Sequence, residues 1–209
     1  MNYESVIDEA IELGYQSVMI DGSRLPLAEN IDSTAKVVKM SHAAGIAVEA
    51  ELGAVLGHEA GPLPPYEELF ASGKGFTDPE EARYFVMETG VDWLSVAIGN
   101  IHGAISGVAK NRKKIEARLN IKHLDRIREY TSVPLVLHGG SGINKDCLRE
   151  AFRHGIAKIN IGTTIRQAYE SSCEESIEQA KEKVYDVTVR LLTEEFEIGG
   201  SAEIINPQQ

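Results

Sequence analysis

Two histidines with matching surroundings are the residues of this sequence best placed to do chemistry. His102 lies in WLSVAIGNIHG (93–103) and His138 in PLVLHGGSG (134–142), and each follows an apolar run and directly precedes a glycine. Continuous apolar runs are typical of buried parallel strands, whose carboxyl ends carry the active sites of α/β folds. Histidine is the commonest protein ligand for zinc, and a following glycine allows a ligand to approach the backbone closely. The pattern predicts a metal site at the mouth of a sheet or barrel.

Acidic residues end two further apolar runs and are candidates for the same site. Asp21 follows SVMI, and Glu51 lies in VEAELG. Carboxylates can bind cations, although Asp21 could equally cap the following loop and Glu51 could pair with a basic residue. Glu49, two positions before Glu51, is expected to face the helix layer instead of the site. The candidate metal site therefore contains the two histidines, Asp21 and Glu51.

The elements that must position these residues repeat a plan of helix, glycine and strand. Strands are expected at Ser17–Asp21 and Ile46–Leu52, and in the segments WLSVAIG, PLVLHGG and GIAKINIG. Helix N-caps are expected at Asp32, at Thr77 or Asp78, and at Asn144. Five strands separated by helices imply right-handed βαβ units and a parallel sheet. The 209 residues are expected to form one α/β domain over 1–209.

Two connections are unusually long. The Pro- and Gly-rich segment 57–76 follows a predicted strand, and a connection of this length is more often functional than decorative, for example as an active-site cover. The segment 103–120 contains a basic cluster in KNRKK (110–114), for which a solvated face is the simplest interpretation. Beyond these loops the C-terminal region 164–196 is expected to be almost entirely helical.

Composition narrows the possible partners. The formal net charge of −11 argues against a nucleic-acid or membrane-surface partner. It leaves room for an anionic substrate, because a phosphate site needs only backbone N–H groups and one cation. The two cysteines, Cys147 and Cys173, have no metal-type or redox-type spacing, which indicates a reducing cytoplasm. No apolar stretch is long enough to span a bilayer.

Five motifs together resemble one enzyme family. SVMIDGS, VEAELG, AIGNIHG, LVLHGGSGI and KINIGT occur in the order and rough spacing of the class II, metal-dependent fructose/tagatose-bisphosphate aldolases. The resemblance covers almost the whole chain, and LVLHGGSG followed by KINIGT is its most specific part. It implies a (β/α)8 TIM-barrel fold, here a partial barrel with strands matching the fourth to the eighth. A class I aldolase would need a Schiff-base lysine on a strand, and Lys158 is the only lysine within a predicted strand.

The resemblance also implies roles for individual residues. His102 and His138 match two zinc ligands, while Asp21 and Glu51 match acidic residues that line the site and can hold a second divalent or a monovalent cation. The backbone cradle for the phosphate of dihydroxyacetone phosphate matches Gly103, Gly139, Gly140, Ser141, Asn160, Ile161, Gly162 and Thr163. The implied reaction is zinc-dependent, reversible aldol cleavage of fructose 1,6-bisphosphate or tagatose 1,6-bisphosphate, in which zinc acts as a Lewis acid on the ketone.

One family motif has no match in the sequence. Family members carry a His-Leu-Asp-His type motif after the third strand, with the first zinc histidine and the acid/base aspartate, whereas HLD at 123–125 lies in a predicted helix. A full (β/α)8 barrel also needs roughly 250 residues. The chain is therefore expected to be an N-terminally shortened aldolase, or alternatively an inactive homologue or phosphate-binding structural subunit. A different phosphate-binding barrel enzyme is a third alternative. The open sheet edge favours a homo-oligomer.

Overall fold

The fold is built on one sheet of five parallel strands. The computed structural model describes residues 3–57, 64–102 and 116–205. Within these ranges the strands are adjacent in the order in which they occur along the chain. They are β1 (Ser17–Ile20), β2 (Ala47–Leu52), β3 (Trp93–Val96), β4 (Leu135–Leu137) and β5 (Ile156–Ile159). The sequential parallel order confirms the predicted α/β fold and is the strand order of a partial (β/α)8 barrel.

Helices precede, separate and follow the strands. Those up to β5 are α1 (Tyr3–Glu12), α2 (Leu27–Ala43), α3 (Tyr66–Ser72), α4 (Pro79–Thr89), α5 (Ile121–Tyr130) and α6 (Lys145–Arg153). After β5 follow α7 (Thr163–Glu170), α8 (Ile177–Arg190), a π-helical turn (Leu191–Glu195) and α9 (Ser201–Ile205). None of the helices within the described ranges is long and apolar enough to cross a membrane.

Two predicted N-caps are confirmed and one is wrong. The Asp78 carboxylate accepts hydrogen bonds from the backbone N–H groups of Glu80 and Glu81, and the Asn144 side chain accepts one from the N–H of Asp146. Asp32 lies inside α2 on an exposed face, because the helix already begins at Leu27, with Pro26 as its N-cap residue.

One of the two long connections contains a helix, and both include residues that the structure does not describe. The segment 57–76 contains helix α3, so only part of it is irregular. Residues 58–63 of this segment and residues 103–115 of the second one lie outside the described residues. The predicted site residue Gly103 and the basic cluster at 110–114 belong to the parts that are not described.

The two faces of the sheet have different chemistry. Alternate residues of a strand point to opposite faces. Val48, Ala50 and Leu94, on the face toward the helices, are fully buried in the hydrophobic core. The other face presents polar side chains, since Glu51 of β2 pairs in register with Ser95 of β3. The candidate site lies on this polar face, at the carboxyl ends of the strands.

Candidate active site

Three of the four predicted metal ligands meet at the carboxyl ends of adjacent strands. Glu51 is near the end of β2, His102 follows β3, and His138 directly follows β4. One ligand atom from each of these residues lies within 4.8 Å of the other two. The imidazole centroids of His102 and His138 are 6.2 Å apart. Among the described residues, this group is a potential binding site for a metal ion.

Hydrogen bonds to backbone atoms hold the two histidine segments together. The side-chain amide of Asn100 is buried and donates to the carbonyl oxygen of His138 at 3.0 Å, while its oxygen accepts from the N–H of Ile98 at 2.8 Å. The N–H of His102 donates to the carbonyl oxygen of Leu56 at 2.7 Å. These hydrogen bonds join the segments after β2, β3 and β4, so the positions of the two histidines depend on each other.

A glycine is required after His138 for a local reason. Gly139 has φ of +67°, and a Cβ at this position would overlap the carbonyl oxygen of Ile101. The left-handed backbone conformation and the close approach both exclude a side chain. The glycine therefore lets the segment that carries His102 pack directly against the turn after β4.

His138 lies between two buried glutamates. Its Nε2 is 2.7 Å from Oε1 of Glu49, and its Nδ1 is 3.1 Å from Oε2 of Glu51. The second oxygen of Glu49 accepts a hydrogen bond from Nζ of Lys158 at 2.6 Å. The prediction that Glu49 faces the helix layer is wrong, because residues two apart on a strand point to the same face. Both glutamates therefore project toward the site.

Burial and neighbouring charges shift the pKa values of His138, Glu49 and Glu51. Burial would lower the pKa of His138, but hydrogen bonds to Glu49 and Glu51 and their negative charges outweigh it and raise that pKa to about 9. Burial would raise the pKa of Glu49, but His138 and Lys158 hold it below its usual value. The pKa of Glu51 is raised by burial, which its hydrogen bond to His138 only partly offsets. The metal-free group thus retains a proton on His138 at neutral pH.

Asp21 does not join the three-residue group. Its carboxylate accepts hydrogen bonds from the N–H of Ser23 at 3.0 Å and from the Ser23 hydroxyl at 2.6 Å, and its side chain is exposed. These contacts are those of a residue that caps a loop, the alternative considered for Asp21. Its negative charge contributes to the raised pKa of Glu51, so it acts on the site electrostatically.

The two predicted phosphate-binding turns contact each other. The N–H of Gly140 donates to the carbonyl oxygen of Asn160 at 3.0 Å, and the N–H of Asn160 donates to the carbonyl oxygen of Leu137 at 2.9 Å. The Ser141 hydroxyl accepts a hydrogen bond from the N–H of Thr164 at 3.2 Å. The N–H groups of Gly140 and Asn160, two of the expected phosphate donors, thus already form hydrogen bonds that join β4 to β5.

Other parts of these turns leave room for an anion. Gly162 is the N-cap of α7, and a Cβ added to Gly162 would meet nothing within 4 Å. The first N–H groups of an α-helix have no partner within the helix and carry a partial positive charge. The predicted residues Ile161, Gly162 and Thr163 surround this helix start, which makes the start of α7 the more suitable half of the cradle.

The donor set fits a divalent cation. Two imidazoles and one carboxylate form the protein ligands of many catalytic zinc centres. The motifs predicted two histidine ligands and placed Glu51 in the same candidate site, and the structure brings Glu51 to the position of a third donor. Glu49 and Lys158 were not predicted as site residues, although the sequence contains a signal for each. Glu49 is two positions from Glu51 and so points to the same face of the strand, and Lys158 lies in the predicted strand before Asn160.

Comparisons with known proteins identify the family of this chain. The family model described as "Fructose-bisphosphate aldolase class-II" matches residues 2–198. The fructose-bisphosphate aldolase of Streptococcus pyogenes serotype M1 is 40% identical over 188 residues, which are 88% of this chain and 58% of that protein. That of Staphylococcus epidermidis strain ATCC 12228 is 39% identical over 178 residues, 85% of this chain and 57% of that protein.

A solved structure shows the same fold. The crystal structure of the YdjI aldolase from Escherichia coli K12 superposes with a TM-score of 0.70 at 35% identity, covering 93% of this chain and 64% of that one. The chain spans less than two thirds of the length of the curated relatives described above. The family match covers residues 2–198, which is nearly all of the chain. The chain therefore belongs to the class II fructose-bisphosphate aldolase family.

Proposed function

We propose that this chain contributes the metal-binding and phosphate-binding half of a class II aldolase active site. The reaction is the reversible aldol cleavage of a ketose bisphosphate, fructose 1,6-bisphosphate or tagatose 1,6-bisphosphate, to dihydroxyacetone phosphate and an aldehyde. The observation that carries the proposal is the convergence of one ligand atom each from Glu51, His102 and His138 within 4.8 Å. Zinc is the preferred ion, because histidine and carboxylate are its usual protein ligands.

The residues have distinct roles in this proposal. His102, His138 and Glu51 hold the cation, and polarisation of the substrate ketone is the chemistry that a bound Lewis acid supplies. Asp21 is assigned an electrostatic role. The alternative is that Asp21 helps to bind a second cation. The partner of the site is a phosphorylated sugar. Cytoplasmic location and homo-oligomeric assembly stay predictions.

The proposed phosphate cradle comprises both turns and the start of α7. The half that follows β5 is the better supported, because the N–H groups of the first turn of a helix favour an anion. The residues assigned to the cradle are Gly103, Gly139, Gly140, Ser141, Asn160, Ile161, Gly162 and Thr163.

A structural or phosphate-binding subunit is the second candidate. The group of three potential ligands within the described ranges contains no aspartate to act as the acid/base that the family resemblance implies. If that residue is supplied from elsewhere, the chain is part of an enzyme. If it is not, the chain binds phosphate without turnover.

Calorimetry with zinc and dihydroxyacetone phosphate tests the proposal. The wild-type chain is expected to bind zinc, and then dihydroxyacetone phosphate, and His138→Ala is expected to abolish zinc binding. His42→Ala is the matched control, because His42 lies on helix α2 and pairs with Asp92 away from the three ligands. A folded wild-type chain that binds neither compound refutes the proposal. Binding of both without cleavage of fructose 1,6-bisphosphate favours the subunit role.

A further inference from the structure

We propose that Glu49, held in place by Lys158, is a positioning residue that orients the His138 ring for metal binding. This inference rests on the proposed metal centre and adds a residue that the family motifs did not assign. Oε1 of Glu49 is 2.7 Å from Nε2 of His138, and both side chains are almost completely buried. A histidine ligand of a metal commonly donates its second ring N–H to a carboxylate, which fixes the ring orientation and the tautomer.

The geometry assigns different tasks to the two ring nitrogens. With Nε2 directed at Glu49, Nδ1 is the atom that faces Glu51, at 3.1 Å. Nδ1 is thereby directed toward Glu51, which is one of the three potential metal ligands. A 180° flip of the ring would place Cε1 where Nε2 lies and Cδ2 where Nδ1 lies, and would break the contacts to both glutamates. Glu49 thus selects the orientation in which Nδ1 is the metal-binding atom.

Lys158 holds the Glu49 carboxylate in its orientation toward His138. Each oxygen of Glu49 has its own partner, because Oε1 contacts His138 and Oε2 accepts from Nζ of Lys158 at 2.6 Å. Nζ of Lys158 also lies 5.9 Å from the centroid of the Trp93 ring. The connected side chains come from β2, β3, β5 and the turn after β4. Glu49 is therefore held as an orienting residue and is not available as a fourth ligand.

The experiment combines a cobalt titration with imidazole NMR of the metal-free chain. Glu49→Gln is expected to weaken Co²⁺ binding by about 10- to 100-fold, the usual effect of losing an outer-shell partner. Lys158→Met is expected to weaken it in the same direction but less, since it acts one contact further away. Glu178→Gln is the matched control, because Glu178 forms an exposed pair with Lys181 on α8.

NMR provides a readout that does not depend on metal. In ¹⁵N-histidine-labelled wild-type chain, the Nε2 proton of His138 is expected far downfield and slow to exchange. Glu49→Gln is expected to move it upfield and speed its exchange. Thermal denaturation checks that each variant is folded, and Lys158→Met, whose side chain is 44% exposed, is the variant that best preserves the fold.

The outcomes separate the two proposals. If both variants bind Co²⁺ as wild type does and leave the Nε2 proton unchanged, the positioning role is refuted, even if their melting temperatures fall. If wild type binds no Co²⁺ but its Nε2 proton depends on Glu49, the metal centre is refuted while the orientation of His138 by Glu49 is upheld.

Discussion

Raising the pH is expected to destabilise the metal-free chain through His138. The imidazolium is buried between Glu49 and Glu51, and together with Lys158 these four side chains sum to zero net charge when His138 is protonated. Deprotonation of His138 leaves a net negative charge on a mostly buried group, which costs free energy. The free energy of unfolding is therefore expected to fall as the pH rises.

The size of the effect follows from the shifted pKa. The pKa of His138 is raised from 6.5 in the unfolded chain to about 9 in the folded chain. A group with a raised folded-state pKa contributes stability that is complete below the unfolded value and is lost as the pH rises through the folded value. A shift of this size corresponds to about 3 kcal/mol, with a slope of up to about 1.4 kcal/mol per pH unit between the two values.

Urea unfolding between pH 6 and pH 10, with a chelator present, measures this loss. The comparison is between wild type and His138→Gln, which removes the titrating ring but keeps a side chain that can donate a hydrogen bond. His154→Gln is the control, because His154 also pairs with carboxylates, those of Asp125 and Glu150, but at the protein surface. If His138→Gln loses as much stability between pH 6 and pH 10 as wild type, the assigned charge state of His138 is wrong.

Two substitutions test how the strand ends are joined. Gly139→Ala is expected to destabilise the chain by at least about 1 kcal/mol in urea unfolding, because its φ is +67° and a Cβ would overlap the Ile101 carbonyl. Thr77→Val is expected to cost about 1–3 kcal/mol, since the Thr77 hydroxyl donates to the Leu52 carbonyl at 2.5 Å and accepts from the Ala97 N–H at 2.8 Å.

Each of these substitutions has a matched control. Gly199→Ala should change stability little, because its Cβ would meet only the Thr193 side chain, at 4.0 Å. Thr77→Ser keeps the hydroxyl and should retain most of the stability that Thr77→Val loses. Equal losses for Thr77→Ser and Thr77→Val would show that the hydroxyl does not join β2 to β3.

Local patterns in the sequence were sufficient to predict most of the architecture. The caps at Asp78 and Asn144 and the five strands were predicted because they depend on short-range hydrogen bonding and on apolar runs. The failure at Asp32 has a local cause as well. Two helix-start signals competed, and Pro26 came first along the chain.

The sequence by itself determined that Glu51 and His138 lie at strand ends and that His102 lies beyond β3, because apolar runs and the residues next to them mark where strands end. Only the tertiary structure decided which side chains meet. Glu49 and His138 are 89 residues apart and Glu49 and Lys158 are 109 apart, so their contacts depend on the register of four strands. Register is set by packing of the whole sheet against its helices, and a shift of one residue would turn these side chains to the opposite face.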